Sequence, residues 1–229
     1  FALLVMAICC LISAAYVIND YFDIKSDRIS GVRNIVIGKS ISRQSAIILH
    51  SILNAVAVGI GVVLGFILGE WQLGVAFLVV SGLLWFYSFG FKRFFLLGNI
   101  LVGLLAALIP ISVVAYEEPL LLKMNTIICQ ETGLNVFILW RVCGFAWFIF
   151  LNTLMYEINK DIFSVEGDKD NGFNTIPVKA GIKVARCMIT LLAVVAIISL
   201  GIAFQSECKG SNLFILYGGV AILLPYIIY

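Results

Sequence analysis

The sequence predicts an all-α bundle of membrane-spanning helices, and three observations lead there. The chain of 229 residues is 62% hydrophobic and only 12% charged, whereas a soluble domain carries roughly a quarter of its residues as charges. Its mean hydropathy is +1.09, so lipid must be the solvent. Apolar stretches of about 20 residues, the length that crosses a bilayer, recur from end to end. Backbone polar groups in hydrocarbon must be satisfied within the segment, and no stretch has the dyad alternation of a membrane barrel. The spans are therefore helices.

Seven spans are expected, at about 1–18, 45–69, 71–90, 94–116, 134–156, 184–204 and 212–229. The first is apolar from Phe1 and ends at Asn19, where a charged segment begins. The second ends at Glu70, and the third in the aromatic run Trp85-Phe86-Tyr87, followed by Lys92 and Arg93. Glu117 and Glu118 close the fourth. The fifth contains Arg141, near enough to its end to snorkel to the headgroups, and leads into a second acidic stretch. The sixth ends near Glu207 and Lys209, and the seventh runs to the apolar close Pro225-Tyr226-Ile227-Ile228-Tyr229. One membrane domain over 1–229 is expected, truncated at both ends, with no signal-peptide n-region or cleavage site at its start.

Twelve of the fifteen Lys and Arg residues fall in three segments, 20–43, 92–93 and 157–186. Seven crossings put these three on one side and the poorly basic connections on the other. The positive-inside rule makes the basic side cytoplasmic, the inner membrane for a bacterial source. The net charge of +2 gives no reason to expect nucleic acid, and the six cysteines form no CxxC pair. A thiol in an apolar helix behaves as a small hydrophobe.

Two acidic clusters lie on the basic side. Asn19, Asp23 and Asp27 are spaced i, i+4, i+8, one stripe of a helix. Like charges so placed repel, so the stripe calls for a cation. A hard divalent ion that takes carboxylate and amide oxygens, Mg²⁺ above all, suits it. The second cluster holds Glu157, Asp161 and Asp168, which share a face if the helix continues. The Asn171–Val178 stretch that follows carries a Gly and a Pro and reads as a turn. Two metal-binding clusters facing each other make a clamp for a diphosphate, with Lys25, Arg28, Arg33, Lys92, Arg93 and Lys160 at hand for its remaining oxygens. His50, the single histidine, has no partner at ligand spacing and is expected at the interface.

These residues resemble the UbiA superfamily of intramembrane prenyltransferases. The N-D-x-x-D-x-x-x-D signature of that family is matched by Asn19, Asp20, Asp23 and Asp27. Its Y-[ST]-x-x-x-K-R loop is matched by Tyr87, Ser88, Lys92 and Arg93. Its second acidic signature is matched by Asp161, Glu166-Gly167-Asp168, Gly172, Thr175 and Pro177. Two departures stand out. Ser164 occupies a position where many members have Asp, with Glu157 and Glu166 the residues that could compensate. The stretch after Arg28 lacks the family's Asn-x-Pro-x-Arg-Pro pattern.

The resemblance implies a nine-helix fold of which seven helices are present, and a Mg²⁺-dependent transfer from an isoprenoid diphosphate. It implies metal ligation by Asn19, Asp20, Asp23, Asp27, Asp161, Asp168 and Glu157, with Asp23, Asp27, Asp161 and Asp168 catalytic. Lys92, Arg93, Arg28 and Lys160 would hold the diphosphate, and Phe22, Tyr87 and Tyr156 would line the prenyl cavity. The second signature looks most like the branch that alkylates geranylgeranylglyceryl phosphate. Chlorophyll-type acceptors and quinone precursors such as 4-hydroxybenzoate or a naphthoate stay open. A non-enzymatic alternative is a cation-binding membrane transporter, although its ionisable residues would be expected near the midplane.

Overall fold

A computed structural model of the chain describes residues 1–31, 35–124 and 134–207. The apolar runs are helices throughout: α1 (Ala2–Ser30), α2 (Arg43–Leu68), α3 (Trp71–Phe89), α4 (Leu97–Met124), α5 (Leu134–Phe163) and α8 (Ile182–Glu207). A single 3₁₀ turn, Phe91–Arg93, joins α3 to α4, and two short helices, α6 (Val165–Asp170) and α7 (Ile176–Ala180), join α5 to α8. All six long helices are long and apolar enough to cross a membrane. They match the first six expected spans, with α1, α4 and α5 running 12, 8 and 7 residues past the expected ends, and the chain is an integral membrane protein. The seventh, 212–229, lies outside the described residues.

Local chemistry explains where the helices stop. α1 does not end with its apolar run but carries the acidic stripe to Ser30, where Gly31 takes the left-handed conformation (φ 63) and its N–H bonds the Asp27 carbonyl. α2 starts on Ser42, whose hydroxyl accepts from the Ser45 N–H at 3.0 Å, and ends on Gly69 at φ 78. The expected turn after Asp170 forms at Asn171 and Gly172 (φ 70), but five further residues then coil into α7. Pro177 is tolerated there because it lies in the first turn, where its missing N–H has no helical partner to lose.

Without a hydrophobic drive between helices in lipid, close packing and buried polar bonds hold the bundle. α2 and α3 approach through glycines, and a Cβ on Gly65 would lie 3.0 Å from the Gly74 backbone nitrogen. A polar chain then ties α1, α2 and α3 together. His50 Nδ1 donates to the Ala14 carbonyl at 2.9 Å, Asn54 Nδ2 donates to His50 Nε2 at 3.1 Å, and Ser81 Oγ donates to Asn54 Oδ1 at 2.9 Å. The Ala14 carbonyl can only accept, which assigns the proton to Nδ1. His50 is thus buried, not interfacial as expected, because this chain satisfies both ring nitrogens.

The two ends of the bundle differ in chemistry. At one end the Phe1 amino group lies 3.9 Å from Glu117, and the Tyr116 hydroxyl donates to the Leu73 carbonyl at 2.8 Å. At the other end meet the C-termini of α1, α3 and α5, the N-terminus of α4, and α6 and α7. An apolar core of Leu151, Met155, Ile158, Ile176, Ala185 and Ile189 anchors α5, α7 and α8 just beneath it.

Candidate active site

The acidic clusters sit at that second end. On α1 the i, i+4 spacing holds as a continuous helix, with Asn19 and Asp23 buried and Asp20 and Asp27 half-buried. On α5, Glu157 is buried and Asp161 and Lys160 half-buried. The expected stripe from Glu157 through Asp161 to Asp168 on one helix is not formed. α5 breaks at Ser164 (φ −96, ψ 7), and Asp168 arrives on the separate helix α6. The serine hydroxyl competes for local partners and here donates to Asp168 Oδ2 at 3.0 Å. The break turns Asp168 back toward α1.

Asp168 is the joint between the clusters. Ser26 of α1 donates to its Oδ1 at 3.2 Å, and Ser164 and Thr175 donate to Oδ2 at 3.0 and 3.4 Å. Burial pushes the Asp168 carboxyl above its usual 3.8, the hydroxyls of Ser164 and Ser26 pull against that, and the nearby charge of Asp23 adds to the rise. Asp23 is also within electrostatic reach of Lys160 and Tyr87. The α1 stripe and the α5–α6 acids therefore form one site.

Each remaining acid has its own partner. Glu157 Oε2 accepts from the Tyr87 hydroxyl and from Lys160 Nζ, both at 3.1 Å. Asp161 Oδ2 accepts from Asn99 Nδ2 at 2.9 Å. Tyr87 is buried, its hydroxyl committed to the acids. Phe22 faces instead into an aromatic group with Trp85 and Phe89, at 6.2 and 5.7 Å between ring centroids. The Arg93 guanidinium lies over the rings of Phe173 (5.2 Å) and Phe89 (5.8 Å), and its carbonyl accepts from the Asn174 N–H at 2.8 Å. Arg93 thus docks the 3₁₀ turn onto the loop that follows α6. The side chain of Lys92, and the whole of Arg33, lie outside the described residues. Arg28 and Tyr156 are exposed, and no described hydrogen bond ties either to the acids.

Ser26, Asn99, Ser164 and Thr175 hold the acids in place; Ser164 and Thr175 stood in the second signature without an assigned role, while Ser26 and Asn99 were not singled out. Ser26 had a signal, since it sits between Asp23 and Asp27 on the same turn. Asn99 had a weaker one, an amide within an apolar span.

Among the described residues, no three His, Cys, Asp or Glu side chains form a ready metal cluster. The donor set nevertheless fits a hard cation. It is all oxygen, and Asn19 Oδ1 is buried without a hydrogen-bond partner among the described residues. A buried orphan acceptor of this kind calls for a cation or a donor.

The chain is 28% identical to the digeranylgeranylglyceryl phosphate synthase of Methanosphaera stadtmanae over 181 residues, 79% of this chain and 58% of the relative. It is 30% identical to the synthase of the same name from Sulfolobus acidocaldarius over 187 residues, 80% of this chain and 58% of that one. The chain thus spans a little over half the length of these relatives. A solved structure of digeranylgeranylglyceryl phosphate synthase in membranes shares the fold, with a TM-score of 0.62 at 20% identity over 99% of this chain and 73% of the other. The profile of the UbiA prenyltransferase family matches residues 1–229, and the chain belongs to that family.

Proposed function

We propose that this protein transfers a prenyl group from an isoprenoid diphosphate to a lipid acceptor, geranylgeranylglyceryl phosphate, in a Mg²⁺-dependent reaction at the cytoplasmic face of the membrane. The observation that carries the reading is the meeting of two acidic clusters around Asp23 and Asp168, beside an uncommitted buried oxygen on Asn19. The name shared by the relatives supports the acceptor, and the bias of Lys and Arg toward the acidic end supports the cytoplasmic side.

Asn19, Asp20, Asp23, Asp27, Glu157, Asp161 and Asp168 are the residues that would hold the metal. Bound there, Mg²⁺ supplies charge neutralisation for the leaving diphosphate. Lys160, Lys92 and Arg93 offer cations to the diphosphate oxygens. The allylic C–O bond breaks with its electron pair leaving on diphosphate, the acceptor hydroxyl oxygen forms the new C–O bond, and the hydroxyl proton is released. The apolar interior keeps water from the allylic cation, and Tyr87, bonded to Glu157, brings an aromatic ring beside the acids to face it.

The test is diphosphate release. Membranes carrying the protein receive geranylgeranyl diphosphate, Mg²⁺ and, in separate arms, geranylgeranylglyceryl phosphate, 4-hydroxybenzoate, a naphthoate or a chlorophyllide. The expected result is release that needs both Mg²⁺ and the glycerol phosphate acceptor and is abolished by Asp23→Asn and by Asp168→Asn. Release driven by another acceptor would reassign the branch. Mg²⁺ binding without release in any arm would overturn the enzymatic reading in favour of a cation-binding membrane protein.

A further inference from the structure

Each acid of the second cluster receives a donor from a different helix. Tyr87 of α3 serves Glu157, Asn99 of α4 serves Asp161, and Ser26 of α1 serves Asp168. All three donors are uncharged. They satisfy carboxylate oxygens without bringing a counter-charge; of these three acids, Glu157 receives one from Lys160 Nζ at 3.1 Å.

Asn99 is the one of the three that stands inside an otherwise apolar stretch, at the third residue of α4, and it is 6% exposed. The chain fixes its position with some care. Leu96, just before α4, adopts φ 60, a left-handed conformation that costs a non-glycine residue free energy. Its side chain packs with Ile100 against the core shared by α5, α7 and α8. One turn beyond Asn99, Gly103 lets α4 close on α5, where an added Cβ would meet the Phe150 ring at 3.0 Å.

We propose that Asn99 is a positioning residue, which holds the Asp161 carboxyl group in place to receive the divalent cation. This rests on the reading above that Asp161 is a cation ligand. Groups that orient a metal ligand typically contribute about 10–100-fold to metal affinity, and a neutral amide that presents a carboxylate is such a group.

The experiment measures Mn²⁺ binding to the purified protein in detergent, without substrate, from the electron paramagnetic resonance signal of the free ion. Asn99→Leu is expected to weaken Mn²⁺ binding about 10–100-fold, and Asn99→Gln, which keeps the amide donor, to recover most of it. If Asn99→Leu does not fold, Asn99→Ser is measured in its place with the same expectation. Wild-type affinity in Asn99→Leu or Asn99→Ser, while Asp161→Asn loses binding, would overturn the role of Asn99 alone. Wild-type affinity in Asp161→Asn would overturn the assignment of Asp161 as a ligand, and this inference with it.

Discussion

Tyr87→Phe removes one oxygen atom from the middle of the site and little else. The ring is buried, and a phenylalanine fills its volume without the hydroxyl. The hydroxyl donates to Glu157 Oε2 at 3.1 Å, and Lys160 Nζ approaches the same oxygen at the same distance. A hydrogen bond to an ionised group contributes about 1.5–3 kcal/mol, and each 1.4 kcal/mol is a factor of about ten. If that free energy holds Glu157 against the pull of Lys160, its loss lowers kcat/KM for the prenyl donor about 10–100-fold. The assay is donor turnover at saturating acceptor, run as a double-mutant cycle with Glu157→Ala alongside thermal unfolding in detergent. In the Glu157→Ala background Tyr87→Phe is expected to have little further effect. A single mutant within twofold of wild type would refute the reasoning, as would an equal loss in both backgrounds.

Two other expectations follow from the same geometry. Because burial holds the Asp168 pKa above its unfolded value of 3.8, the native state favours the protonated acid. Its contribution to stability is then full below the unfolded pKa and is lost as pH rises through the folded one. Asp168→Asn should therefore gain in melting temperature relative to wild type, by a few degrees, as pH goes from 4 to 8 without divalent cation. A pH-independent difference between the two proteins would contradict this. Asn54→Leu breaks both bonds of the central link in the His50 chain. Of the two, only the bond from Ser81 joins two helices, and interhelical polar bonds in membrane proteins average about 0.6 kcal/mol, with about 1.7 the upper end, so the loss should be about 0.6–1.7 kcal/mol in an unfolding titration. Donor turnover per folded molecule should stay close to wild type, and a variant as stable as wild type would show that the chain holds nothing together.

The sequence alone determined the solvent, the helices and the address of the acids. A composition this apolar cannot dissolve in water, and spans in lipid without barrel alternation are helices, so the six helices were legible, although α1, α4 and α5 run 12, 8 and 7 residues past their expected ends. The spacing of Asn19, Asp23 and Asp27 was enough to place them on one stripe, because a helix converts sequence interval directly into direction. Interval fails once the helix breaks. Ser164 ends α5, so the position of Asp168 depends on the return of the chain toward α1 and on the hydroxyls of Ser26 and Thr175. His50 was misjudged for a related reason. The Asn54 amide lies one turn further along the same helix, but the other partner, the Ala14 carbonyl, belongs to α1, whose contact with α2 no local pattern specifies. Asn99 and Asp161, 62 residues apart, meet where Gly103 lets α4 close on α5. Local chemistry chooses the helices and their polar faces, while packing between helices decides which polar groups satisfy one another, since only there do groups distant in sequence compete for the same buried partners.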